Sequence, residues 1–181
     1  MRRSTTITAT VAVTALITPL GHLAVPAGAY ATAQRYVLEN AAPSKDTLID
    51  RLLRALEAND PDALHRLAVT ESEYRTIFLP GNVPPGKPLK KMRPDAADFA
   101  WGLLATKSFY YEKGLLQQFG GKKLTAVSEH YDKGEKEYAT YRAYKQLRLA
   151  VRTDTGALQE IATGSIVEVD GQWKFMSFIR D

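Results

Sequence analysis

The sequence predicts an α+β domain with N-terminal helices packed on one face of an antiparallel sheet of four or more strands. Three observations predict it. Apolar residues recur at helical spacing from Leu48 to about Phe119. From Lys122 onward the period changes to two. Asp170-Gly171 then sits between two alternating runs, a strong hairpin signal. Helices first and a meander of strands afterwards is the order of an α+β domain.

A different kind of segment precedes the helices. Arg2 and Arg3 form a positive n-region, Ile7 to Leu20 is apolar, and Ala29-Tyr30-Ala31 supplies the small-x-small pattern that signal peptidase reads. Residues 1–31 are therefore expected to be a cleaved signal peptide, with the protein secreted, periplasmic or otherwise extracytoplasmic. The apolar run is too short for a spanning anchor, which needs about 20 residues. Residues 32–43 show no period and are expected to be a mobile lead-in to one domain over 44–181.

The chain has 181 residues and no cysteine, so disulfides, cysteine-ligated zinc and a thiol nucleophile are excluded. Taking Arg2 and Arg3 from the 24 basic residues leaves 22 against 20 acidic ones, a charge of +2. That near-balance speaks against nucleic acid as a partner.

Ser44-Lys45-Asp46-Thr47 opens the first helix, whose Leu48, Ile49, Leu52, Leu53 and Leu56 share a face. Asn59-Asp60-Pro61-Asp62 ends it and starts a short second helix expected over Ala63 to Val69, with Asp60 as N-cap and Pro61 at N1. Thr70 and Glu73 have capping-box spacing ahead of Tyr74, Ile77 and Phe78. Residues 79–94 hold five prolines and two glycines and read as a surface loop carrying Lys87, Lys90, Lys91 and Arg93. Pro94-Asp95 opens the longest helix, which Gly114 is placed to interrupt and Gly120-Gly121 to end.

Strands are expected over Lys122–Tyr131, Tyr138–Arg152, about Glu160–Val169 and Trp173–Ile179. In the second, Tyr141, Ala143, Leu147, Leu149 and Val151 share one face. In the third, Ile161, Thr163, Ser165, Val167 and Val169 face inward and Glu160 and Glu168 outward, and Gly164 signals a bulge or bend.

The helix LLRALEANDPDALHRL followed by the closing hairpin VEVDGQWKFMSFI resembles the nuclear transport factor 2-like superfamily over about Leu48 to Asp181. Ketosteroid isomerase, scytalone dehydratase and polyketide cyclases share that cystatin-like cone. The resemblance implies a strongly curved sheet wrapped around the helices, with a pocket at the cone's open end. Members include enzymes and pure binders, so the fold does not choose a function. The Pro-rich loop is longer than the pattern leads one to expect.

Several residue groups carry candidate chemistry. Ser128, His130 and Asp132 alternate onto one face of the first strand. Side chains two apart on a strand lie about 6.5–7 Å apart, too far for a hydrolase triad, whose members bond at about 3 Å. His130 and Asp132 remain candidates for acid–base work in a cofactor-independent lyase or isomerase, against a bland reading as a polar strand end. His65 is expected at a helix surface. No His or carboxylate spacing suits a metal, and no cofactor motif is present.

Tyrosines are numerous, and a pocket for a flat apolar ligand is expected from Phe99, Leu103, Tyr110, Tyr141, Trp173 and Phe175. No carboxylate suited to ketosteroid-isomerase chemistry faces inward. Tyr138, Tyr144, Ile166, Met176 and Phe178 form an apolar outer stripe that predicts a homodimer through the sheet. The leading expectation is an exported module that binds a small ligand or a protein, without catalytic machinery. The alternatives are the His130–Asp132 enzyme and a dimeric adaptor at the cell envelope, docked by its basic loop.

Overall fold

The structure is a computed structural model that describes residues 35–180. The signal-peptide expectation for residues 1–31 falls outside them. Helix α1 (Lys45–Glu57) starts where Ser44 accepts a hydrogen bond from the Thr47 amide, and it buries Leu48, Ile49, Leu52, Leu53 and Leu56. Asp60 caps α2 (Pro61–His65), shorter than expected, through the Ala63 amide. The Thr70–Glu73 capping box forms in full at α3 (Glu71–Glu73). The chain then runs through a π-helical turn (Tyr74–Phe78) into α4 (Leu79–Gly81). Thus the start of the Pro-rich segment is helical, and Asn82–Arg93 has no helix or strand. Pro94 opens α5 (Pro94–Phe119), a 26-residue helix that Gly114 does not interrupt.

The strands form two antiparallel sheets. β1 (Leu124–Tyr131), β4 (Leu147–Thr153) and β5 (Leu158–Ala162) lie in the order β1-β4-β5. β2 (Glu135–Glu137), β3 (Arg142–Tyr144), β6 (Ile166–Val169) and β7 (Gln172–Phe175) lie in the order β2-β3-β6-β7. One sheet of long strands was expected. Two of those strands break at the same level: the second at Gln146, which takes a φ of 60°, and the third around Gly164. A Cβ on Gly164 would run into the carbonyl oxygens of Ser177 and Ile179. Only glycine lets these backbones approach. The β6–β7 turn is as expected, with Asp170 and Gly171 at φ 50° and 77°.

These breaks reset the side-chain faces, because a one-residue slip exchanges inside for outside. Ile166 and Phe178, expected on an exposed stripe, are fully buried. Two of the five residues in the stripe that predicted a sheet dimer are therefore interior, while Tyr138, Tyr144 and Met176 stay partly exposed. One core cluster joins α1, α2 and the end of α5 (Leu115, Phe119) to Leu147, Leu149, Val151, Ile161, Ile166 and Phe175. A second joins Leu38, Val69, Ile77 and Phe78 to Tyr141, Ala143, Val167 and Val169. Within the four-stranded sheet, β6 thus sends Ile166 into one cluster and Val167 into the other, while β2 is fully exposed.

From Arg35 onward the supposed mobile lead-in is a packed strap. Leu38 and Ala42 are buried. Ala42 exchanges two backbone hydrogen bonds of 2.9 Å with Trp173. Gln172 donates to the Tyr36 carbonyl and accepts from the Leu38 amide, both at 2.8 Å. Lys174, cross-strand from Val167, points into the second cluster. It bonds the Glu39 carbonyl at 2.7 Å and the Glu73 carboxylate at 2.9 Å. Glu73 also accepts from the amides of Thr70 and Glu39. A buried pair of this kind is tolerable only because nearly every polar atom finds a partner.

Candidate functional site

The site is assembled from three remote stretches. The π-helical turn presents Tyr74 toward α5, while Ile77 and Phe78 enter the second core cluster. The extra residue per turn of a π-helix rotates successive side chains away from α-helical positions, and such turns are frequent at functional sites. The loop between β2 and β3 supplies Tyr138 and Tyr141. It is held by the Thr140 hydroxyl donating to the Ile77 carbonyl and by the Ala139 amide donating to Val83, both at 2.9 Å. Helix α5 supplies Trp101 and Leu104.

Tyr138 and Tyr141 stack with ring centres 4.6 Å apart and planes 17° apart. Phe78 meets Tyr141 edge-on at 5.0 Å, and Tyr74 leans on Trp101 at 5.5 Å. Between them lies a pocket of about 220 Å³, lined by Tyr74, Leu104, Tyr138, Tyr141, Lys145 and Met176 among others. A neighbouring depression of about 340 Å³ shares Tyr74 and Leu104 and opens past Phe99, Leu103 and Lys107.

The electrostatics favour an apolar guest with a negative end. Burial pushes the Tyr141 phenol well above its ordinary ionisation range, helped by the neighbouring Tyr138 and Tyr74. Burial raises Tyr74 as well. Both therefore stay protonated and able to donate at neutral pH. Lys145 is the one charged side chain in the pocket lining. Its ammonium and that of Lys136 lie 5.7 and 4.8 Å from the Tyr138 ring centre.

The six residues expected to share a pocket are dispersed. Tyr141 lines the pocket, while Phe99 and Leu103 line the adjoining depression. Tyr110 lies on the surface, 68% exposed, and Phe175 is sealed in the main core. Trp173 packs on that core, against Tyr144 at 5.2 Å. Sequence reasoning named Tyr138 but placed it on the outer face. It missed Tyr74, Leu104 and Lys145, for which the capping box and π-helical turn gave no pocket signal.

His130 and Asp132 do touch, Nε2 to Oδ1 at 3.2 Å, which corrects the expected 6.5–7 Å. Asp132 lies just beyond the end of β1, where alternation no longer fixes side-chain direction. The pair forms no sheltered dyad. The His130 side chain is 65% exposed, and Arg148 bridges Asp132 at 2.6 Å to Glu160 at 3.0 Å. The Arg148 hydrogen bond holds the Asp132 carboxyl below its ordinary value, opposite to what a proton-donating acid needs. Ser128 is exposed.

His65 lies at the surface as expected, but its Nδ1 meets the buried Glu112 carboxylate at 3.1 Å. Glu112 also accepts from the Ser108 hydroxyl at 3.1 Å, and Ser108 accepts from the Phe178 amide. With Glu112 in the middle, this chain ties α2, α5 and the C-terminal stretch together. It does not activate the serine, which would need the imidazole beside it. Among the described residues, no group of three or more His, Asp or Glu side chains has metal-binding geometry.

Comparison with protein-family models, with curated proteins and with solved structures finds no match.

Proposed function

We propose that this domain binds a small, flat, largely apolar ligand bearing one negative or strongly accepting end, and performs no chemistry on it. The observation that carries the reading is the pocket ringed by Tyr74, Tyr138, Tyr141 and Leu104, with Lys145 its one charge. Aromatic rings offer flat apolar area, and protonated phenols offer donors of fixed direction. At about 220 Å³ the pocket is smaller than the roughly 300–1,000 Å³ of drug-sized sites, so a molecule of one or two fused rings suits it. The solvent-exposed, Arg148-neutralised His130–Asp132 pair gives no reason to add an enzymatic step.

The wider setting is also a proposal. The order of elements and the closing hairpin support membership of the nuclear transport factor 2-like superfamily. The paired breaks at Gln146 and Gly164 are the kind of device by which a continuous sheet is bent into a cone. The leader sequence supports action outside the cytoplasm.

2-Naphthoate is a suitable probe: flat, apolar and anionic. Tryptophan fluorescence, with Trp101 against Tyr74, should report saturable binding. Leu104→Trp fills the pocket with a larger side chain and should weaken binding by at least about tenfold, equivalent to about 1.4 kcal/mol. Lys145→Met should weaken naphthoate but not neutral 2-methylnaphthalene. Unchanged naphthoate binding in a well-folded Leu104→Trp variant would sink the proposal.

A further inference from the structure

The solvent face of α5 and the loop before it combine two features that neither the core nor the tyrosine pocket uses. Phe99, Leu103 and Tyr110 are 73%, 48% and 68% exposed. At 3.6 residues per turn these three lie within about 40° of one another around the helix. Lys107 and Lys113 flank them, each about 40° beyond one edge of that stripe. Lys113 also lies 4.8 Å from the ring centre of Phe109, itself half-exposed. The preceding loop adds exposed Lys87, Lys90 and Lys91 around a half-exposed Leu89.

The charges are as telling as the rings. Arg93 pairs with Asp95, and Arg75 pairs with Asp98. That engages the exposed carboxylates on this stretch. Lys87, Lys90, Lys91, Lys107 and Lys113 have no ion-pair partner among the described residues. On the outer face of β1-β4-β5, by contrast, Arg148 is matched by two carboxylates.

We infer that this face docks on the surface of an anionic phospholipid bilayer. The aromatic and leucine side chains enter the headgroup–acyl boundary, and the lysines reach the phosphates above it on their flexible stems. Docking is superficial, since no helix among the described residues is long and apolar enough to cross a membrane. A second copy of the chain fits the patch less well. A two-fold interface would set the same five unpaired lysines of both copies against each other.

The chain has no cysteine, so a single one can be placed and labelled with an environment-sensitive nitrobenzoxadiazole dye. In the full-length protein carrying Leu103→Cys, the dye should brighten and shift to the blue with vesicles of 30% phosphatidylglycerol in phosphatidylcholine. It should stay unchanged with pure phosphatidylcholine, and Glu160→Cys on the outer sheet face should stay silent with both. Reversing Lys87, Lys90 and Lys91 to Glu, or raising salt to 0.5 M, should weaken the response at least about tenfold, as screening of surface charge requires. The readout is local to α5, so binding through residues 1–34 does not mimic it. The inference is overturned by a silent Leu103→Cys label, by equal responses to neutral and anionic vesicles, or by brightening with protein concentration alone, which would mark self-association. It stands or falls independently of the tyrosine pocket.

Discussion

The outer face of β1-β4-β5 and the tyrosine side of β2-β3-β6-β7 hold similar ingredients in opposite settings. Each has a cation–carboxylate cluster on a sheet. On the outer face Arg148, Asp132, His130 and Glu160 pair at the solvent boundary, with 26–65% of each side chain exposed, where such contacts contribute little. On the other side Lys174 and Glu73 pair with 1% and 6% of their side chains exposed, beside the stacked tyrosines. The first cluster looks like a catalytic motif in the sequence and is a solvated strand end. The second shows in the sequence only as the Glu73 half of a helix cap, with no sign of Lys174, yet it fastens the strap, α3 and β7 together. Shelter from water, more than residue type, separates a candidate site from a decorated surface.

The largest effect should come from breaking the sheltered pair. Lys174→Met leaves the Glu73 charge buried without its partner and should cost about 3–5 kcal/mol, read as a lower urea midpoint. Lys174→Met combined with Glu73→Gln should recover part of that loss. Equal midpoints for wild type and Lys174→Met would show that the cluster is not buried as described. Arg148→Met on the outer face should scarcely move the midpoint. A drop matching that of Lys174→Met would erase the contrast between the two faces.

A smaller effect concerns alkaline pH. Tyr74, Tyr131 and Tyr141 are raised by burial, so absorbance at 295 nm should show a late group of phenols ionising above the ordinary value of about 10. A raised phenol pKa disfavours the ionised form in the folded state. The stability of the neutral phenols is therefore complete below the ordinary value and falls as pH rises through it, and the late group should ionise together with unfolding. A single transition at the ordinary value, with the fold intact, would place these rings in water.

The smallest effect belongs to Asp132. Its folded pKa is lowered chiefly by Arg148, so its contribution is present above the ordinary carboxylate value and is lost as pH falls through the folded value. The stability gap between wild type and Asp132→Asn should therefore be flat near neutrality and close below about pH 4. A gap that widened in acid would reverse the sign of the interaction.

Much of the framework was legible because local signals decide it. Asp60 and Thr70 each cap the helix they were expected to cap, and the first helix opens at the expected Ser44-Lys45. The apolar face of α1 and the Asp170-Gly171 turn follow their patterns. The division into two sheets was not legible. Nothing local requires Gln146 to adopt a positive φ, and Gly164 announced a bend without saying that the chain leaves one sheet for another there. That single omission misplaced Ile166 and Phe178 and produced the expected dimer stripe. Packing of the strap escaped notice because Ala42 and Leu38 find partners more than 130 residues away. The pocket escaped for the same reason. Tyr74, Leu104 and Tyr141 carry no common spacing, and only tertiary packing brings them together.

The most direct test is a crystal structure of the protein with 2-naphthoate. The ring should lie between Tyr74, Tyr138 and Tyr141, with its carboxylate toward Lys145. A probe seated instead against His130 and Asp132, or density confined to the surface around Phe99 and Leu103, would contradict the tyrosine pocket as the binding site.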